Sequence, residues 1–571
     1  MVLSRIVLLF FLFMKFPGEE PKNRESFISP LRIPLALSAH FGELRNDHFH
    51  SGIDIKTQGT TGKEVLATAA GYVYRISISP GGFGKALYLM HPSGYSTVYA
   101  HLSRFIPEIE EYVINRQYAE KSYMVTLWPP KDKFRFNQGD LIAFSGNTGS
   151  SSGPHLHYEI RKADEEHPVN PLLFDFGIED KVAPVIEELM IFRVGKNTII
   201  NDQTKNLRLK VSGNDGRYHL AGDREITISG PVGFGFKSYD LSSTSNNKSS
   251  VYSIDLFLDS ILVYSYRMDS FSFSESRYIN SHIDYETYVK EKNFFERAFV
   301  LPNNRLSLYS NLVNRGICNF TDERRHRVEI IVGDINNNRA SLVFHVRSAI
   351  PRVDVSEKDD NRIMMPYSRN NKFVSGDMSV NIPSGALYDT LFFEFMKTEG
   401  RPGMYSDIYH VHNRYTPLHK PYILTIRPKE VPEGKSSKLL IAQSINGSQR
   451  IPVQTKWENG YLVAKPSAFG SFYVDIDTIP PSVLPIGLVP GVNLEGKREI
   501  RLRIRDDFSG IKSYEPIIDG KWALFEYDQK NSLLTYTIDP SRITRNTKHY
   551  FTLKVTDNKD NVTLFSCDFY W

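Results

Sequence analysis

The stretch "GPHLHYEI", Gly153 to Ile160, sets His155 and His157 two residues apart with Leu156 between them. An extended chain sends successive side chains to opposite faces, so both imidazoles share one face and Leu156 turns to the other. Glu159 falls on the imidazole face as well. An exposed polar face on a half-buried strand would satisfy this pattern. A metal site would also need a third ligand, an open coordination position and a base.

Upstream lies "HFGELRNDHFHSGIDI", His40 to Ile55, in which His50 and Asp54 sit four apart. Gly52 with the β-branched Ile53 and Ile55 favours an extended segment, where an even spacing keeps both side chains on one side. Neutral imidazole and carboxylate both bind Zn²⁺ at ~2.0–2.2 Å. One histidine of "HLH" then completes a His₂Asp set with a fourth position free for water, the pattern of catalytic rather than structural zinc. Strand geometry alone leaves open which of His155 and His157 it is. A third histidine-bearing strand, "TVYAHLS", ends at His101. His40 and His48 lie nearby; His48, in a second H-x-H at 48–50, is a reserve ligand better placed at the rim. The Gly-rich "SGNTGSSSGP" (145–154) lets backbone approach a substrate closely. It lacks the GK[ST] ending of a phosphate cradle.

The chain has 571 residues, more than one hydrophobic core usually serves, so several domains are expected. A net charge of +4 without Lys/Arg-rich runs gives no footprint for nucleic acid. Aromatics at 12% among many Thr, Ser and Val residues point to a mostly β protein. Ile6 to Met14, behind Arg5, form an apolar run too short to span a membrane and suited to an export signal over residues 1–17. No other run is long enough for a membrane span, so no transmembrane helix is expected once the signal is removed. Cys318 and Cys567 are the two cysteines; without a C-x-x-C there is no thiolate zinc site, and their pairing is not readable from sequence.

Residues 27–176 read as an antiparallel β domain, interrupted at 106–137 by a polar excursion that includes a short helix in "EIEEYVINRQYAEK" and could form a lid or substrate wall. "DKVAPVIEELMIFRV" (180–194) and "HRVEIIVGDINNNRASLVFHV" (326–346) open and close a second block. "DTIPPSVLPIGLVPG" (477–491) and "HYFTLKVTDNKDNVTLFSCDFYW" (549–571) open and close a similar one. Each closing piece is a hairpin with turn chemistry at its centre. The expected order is an Ig-like β-sandwich at 180–350, a β-sandwich at 351–475 and a second Ig-like sandwich at 477–571.

"FHSGIDI", "YAHLS", "GDLIAFSGNTGSSSGPHLHYEI" and "HPVNPLLF", in this order, resemble the successive signatures of the lysostaphin-like (LytM-type) zinc metallopeptidases, which cut peptide bonds in peptidoglycan. The resemblance covers residues 35–176, and the excursion at 106–137 departs from it. It implies that His50, Asp54 and His157 bind one zinc ion and that His101 and His155 are the catalytic histidines. With no H-E-x-x-H glutamate, those two imidazoles are the candidates to move protons and steady the oxyanion. Glu159 is either an orienting partner of an imidazole or an ordinary solvent-facing residue. The function implied is an exported endopeptidase hydrolysing peptidoglycan cross-links in the periplasm or envelope of a bacterium. Its C-terminal β-domains are available to an envelope partner. The alternative is a non-catalytic wall-binding or regulatory protein on the same fold, and a third reading is a peptidase acting on other proteins or foreign walls.

Overall fold

The computed structural model describes residues 26–571 except 223–224, 244, 351–361, 446 and 448; the apolar run read as an export signal lies outside the described residues. The chain is mostly β, with antiparallel pairing dominant and further β-domains following the first. Among the described residues no helix is long and apolar enough to cross a membrane.

The first domain is built on β1 (Leu37–Ala39), β2 (Ile53–Lys56), β3 (Gly71–Ile78), β4 (Lys85–Met90), β5 (Tyr95–Leu102), α1 (Pro107–Glu120), β6 (Val125–Leu127) and β7 (His155–Lys162). The strands lie in the order β1-β2-β7-β5-β4-β3-β6, so β7 runs between β2 and β5. Register sets His157 opposite Asp54 on one side and Ala100 on the other. Leu156, Tyr158 and Ile160 enter a core shared with Ile53, Ile76, Leu87 and Tyr99. A smaller sheet, Glu64–Leu66 with Leu141–Phe144 and Arg104–Phe105, closes over that core through Val65, Ile142 and Ala143.

Within the excursion at 106–137, α1 starts with Pro at its first turn beside Glu108 and Glu110, and ends at Lys121 in the left-handed conformation. Its spacing buries Ile109, Val113 and Gln117 along one face, and the Gln117 amide donates to the Tyr123 carbonyl at 2.6 Å. The chain returns as β6 on the sheet edge beside β3.

Residues 185–348 form one 13-stranded sheet. It curls around Leu189, Phe234, Ile254 and Val328, and the parallel pairing of Ile226–Ile228 with Val346–Ser348 draws distant strands together. Phe41, Leu44 and Phe49 of the first domain sit in this same core, with Phe49 against Phe271 at 5.7 Å between ring centroids. The loop between β1 and β2 of the first domain is therefore anchored by a neighbour. Residues 363–476 and 482–570 each place two main sheets face to face around one core. Cys318 and Cys567 are free, buried in separate cores.

The last β-domain reaches back to the first. The Tyr118 ring of α1 meets Trp522 and lies under the Arg542 guanidinium. Lys85 pairs with Glu526 at 2.9 Å, and Lys530 donates to the carbonyls of Asn147 and Ser151.

Candidate metal centre

His50 Nε2, His157 Nδ1 and Asp54 Oδ1 form a triangle with edges of 3.1, 2.9 and 3.2 Å. Tetrahedral zinc with bonds of ~2.05 Å holds its ligand atoms about 3.3 Å apart, so the donor set fits that ion with little adjustment. The outer nitrogens explain why these atoms face inward. His50 Nδ1 meets the His40 carbonyl at 2.8 Å, and His157 Nε2 meets the Glu159 carboxylate at 2.9 Å. A carbonyl or carboxylate only accepts, so each outer nitrogen keeps a proton, and the inner nitrogen is the one that gives its lone pair to an ion, on His157 after losing the proton it shares with Asp54.

Two further imidazoles adjoin the triangle. His155 Nδ1 donates to the Gly153 carbonyl at 2.8 Å, and His155 Nε2 lies 3.5 Å from Asp54 Oδ1. His101 Nδ1 donates to the Thr148 carbonyl at 2.9 Å, with its ring 4.8 Å from that of His155 and 5.9 Å from that of His157. The same reasoning leaves Nε2 of both rings as an unprotonated acceptor. His101 has φ +58°, a strained conformation for a side chain of this kind, at a register shift between β4 and β5 that re-aims it out of the strand.

Glu159 is fully buried, so the solvent-facing alternative fails. Its Oε1 accepts from Ser51 at 2.5 Å as well as from His157, and its Oε2 accepts from Arg161. Thus β7 carries His155, His157, Glu159 and Arg161 along one face, a line of charge running inward from the triangle. Burial pushes Glu159 up, but Arg161, then His157 and Ser51, pull it down to about 2. Burial opposes the charged form of His157, yet hydrogen bonds to Asp54 and Glu159 outweigh it and raise the group to about 9. Asp54, also pushed up by burial, is held well below the usual carboxylate range by the His50, His155 and His157 imidazoles. Burial, then the neighbouring His157 and His155, lowers His101 to about 3, leaving it neutral at physiological pH.

The surroundings are tight behind the triangle. A Cβ at Gly52 would stand 2.4 Å from the Tyr158 carbonyl and 2.8 Å from Glu159 Cγ, and one at Gly146 would stand 2.3 Å from Ser103 N. The Phe83 ring stacks on His157 with centroids 5.0 Å apart. Asp54 and His155 keep the most side-chain exposure of the five.

All five residues singled out in the sequence, His50, Asp54, His101, His155 and His157, meet here; His48 does not, its ring turning outward to the Asn46 carbonyl. Sequence reasoning missed Ser51, Arg161 and Arg45, whose guanidinium lies 3.6 Å from Asp54 Oδ2. Arg161 continues the alternation of β7 and was findable on that signal; Ser51 and Arg45 carry none beyond lying near His50.

Residues 48–118 and 130–171 match the family described as Peptidase family M23, and residues 362–477 match the Zu5-like domain. An uncharacterized metalloprotease of Haemophilus influenzae is 34% identical over 153 residues, covering 27% of this chain and 26% of the relative. The DD-carboxypeptidase/endopeptidase Mpg of Neisseria meningitidis is 36% identical over 151 residues, covering 25% and 28% respectively. The catalytic domain of the prophage-encoded M23 protein EnpA from Enterococcus faecalis, a solved structure, is 25% identical over 25% of this chain and 92% of its own, with a TM-score of 0.19. The chain thus spans about a quarter of the length of the first curated relatives it matches.

Proposed function

We propose that the chain, whose residues 48–118 and 130–171 match Peptidase family M23, is an exported, zinc-dependent endopeptidase that hydrolyses peptide cross-links of peptidoglycan. The observation that carries this reading is the set of four imidazoles with tautomers fixed by their outer partners. Two present lone pairs to an ion alongside Asp54, and two keep an acceptor nitrogen free beside it. The substrate class is supported by the Neisseria relative, whose name describes a DD-carboxypeptidase/endopeptidase.

His50, Asp54 and His157 hold the zinc. A bound zinc ion supplies Lewis acidity toward a water molecule and the scissile carbonyl. His155 accepts the water's proton at Nε2 while Gly153 holds its Nδ1–H. His101, anchored on Thr148 through its Nδ1–H, offers Nε2 as a second proton acceptor, and the proton taken from water passes from the imidazole pair to the leaving amine. Glu159 and the His40 carbonyl keep the two ligand rings from turning.

The test is digestion of purified sacculi by the zinc-loaded chain, with and without a chelator and beside His101→Ala. Muropeptides analysed by mass spectrometry should show cross-linked dimers falling and monomers rising. His101→Ala should slow release by about 10²–10⁴-fold with one zinc retained per chain. Intact zinc-loaded protein that releases nothing would defeat the proposal.

A further inference from the structure

A second cluster of three ligating residues lies outside the peptidase site. One carboxylate oxygen from each of Asp180, Asp240 and Asp334 lies within 4.8 Å of the other two, at the seam between the first domain and the block that follows. Asp240 is 3% exposed and Asp334 5%. Asp240 Oδ1 is buried with no hydrogen-bond donor, which is costly for a carboxylate. The cluster opens on a cavity of about 280 Å³ that Asn336, Ser242 and His40 also line, room for an ion and several waters.

The last β-domain carries the same arrangement, which makes it an internal control. Asp477, Asp506 and Asp557 also bring their oxygens within 4.8 Å of one another. The wiring repeats residue for residue. Asn338 bridges Asp334 and the Asp180 carbonyl at 2.6 and 3.1 Å, as Asn561 bridges Asp557 and the Asp477 carbonyl at 2.8 and 3.1 Å. The amides of Ser243 and Ser509, each three residues beyond the middle aspartate, donate to Asp180 and Asp477 at 3.0 Å.

The two differ in compensation. In the last domain Lys559 stands two residues beyond Asp557, and its ammonium feels both Asp477 and Asp557. The equivalent position after Asp334 is Asn336, which is neutral. In the last domain Asp506 Oδ2 accepts from the amides of Phe508 and Gly510 at 3.0 and 2.7 Å, whereas Asp240 keeps its orphan oxygen. Burial, then Asp334 and Asp180, push Asp240 up to about 7; burial raises Asp506 as well, opposed by the Gly510 and Phe508 amides.

We propose that Asp180, Asp240 and Asp334 form a binding site for a hard divalent cation of the calcium class, seated in the cavity between the peptidase domain and the following β-block. All-oxygen donors, several carboxylates and room for water are what Ca²⁺ requires at 2.3–2.6 Å. The site ties the linker residue Asp180 to Asp240 and Asp334 in the block beyond, and so fastens the seam. Lys559 and the amides around Asp506 fill the corresponding role in the last domain.

The test is calorimetric titration of calcium chloride alone into the full chain, stripped of metal, reloaded with one zinc and held at pH 8. One calcium should bind with a Kd of about 10⁻⁴–10⁻³ M. Saturation should raise Tm by about 2–5 °C. Asp240→Asn should weaken calcium binding at least tenfold and abolish the Tm shift, with zinc content unchanged. Asp506→Asn should titrate as the parent does. Asp180→Asn, at the less buried position, repeats the test should Asp240→Asn not fold. No calcium binding up to about 10 mM, well above that range, would overturn the proposal, as would parental titration by both Asp240→Asn and Asp180→Asn.

Discussion

The His50–Asp54–His157 triangle and the Asp180–Asp240–Asp334 triangle each bring three donor atoms within 4.8 Å of one another and differ in what stands behind those donors. In the first, the outer nitrogen of each ligand histidine is occupied, and charge alternates inward from Asp54 through His157 and Glu159 to Arg161. In the second, three carboxylates meet and one oxygen is left with no partner. A preorganised mixed nitrogen–oxygen set suits borderline zinc; an uncompensated oxygen set suits a hard cation. The difference teaches that the number of converging ligands says little until the partners of their far atoms are known.

The largest effect expected in breaking this contrast comes from His157→Ala. It removes one corner of the first triangle and leaves Glu159 and Arg161 facing a gap. Zinc should fall from one per chain to background and activity by about three orders of magnitude or more, while calcium binding persists. Metal analysis with sacculus digestion checks it.

Glu159→Gln keeps the shape but removes the charge that holds the His157 ring and neutralises Arg161. Zinc affinity should fall about 10–100-fold, measured by competition with a chromogenic chelator.

The pH dependence sharpens the same point. His157 holds its proton up to about 9 in the metal-free protein, and zinc must displace it. Zinc affinity should therefore rise about tenfold per pH unit from pH 7 toward 9 and then flatten, with a proton released into weak buffer on binding. The sign for metal-free stability is opposite. With its pKa raised from 6.5, His157 stabilises the fold fully below 6.5 and loses that contribution as pH rises through about 9. Calcium binding to the acidic triangle should show no such loss between pH 8 and 9.

The smallest effect concerns the loop that anchors His101. Lys530 of the last domain holds Asn147 and Ser151 on either side of Thr148, whose carbonyl fixes the His101 ring. Lys530→Ala should lower kcat about two- to fivefold, the size of one partly exposed contact, with zinc content unchanged.

Much of the first triangle was legible because strand periodicity is strict: His155 and His157 had to share a face; His50 lies before β2 begins, and its even spacing from Asp54 pointed to one side of an extended segment. Which of the pair takes the metal was not legible from that period. It depends on Glu159 behind one ring and the Gly153 carbonyl behind the other, and only the fold brings Ser51 and Arg161 around Glu159. Helix α1 was readable within "EIEEYVINRQYAEK", but its contact with Trp522 joins residues about four hundred positions apart and leaves no local signal. The acidic triangle was hidden for a similar reason. The repeated hairpins at 326–346 and 549–571 were visible, whereas the convergence of Asp180 and Asp240 on Asp334 follows from how one long sheet curls.

The most direct measurement is anomalous scattering at the zinc edge from crystals of the full chain grown with both zinc and calcium. The expected result is one zinc peak at ~2.0–2.2 Å from His50 Nε2, Asp54 Oδ1 and His157 Nδ1, with none among Asp180, Asp240 and Asp334. A peak bound instead by His101 and His155, or no peak within the His50–Asp54–His157 triangle, would contradict it.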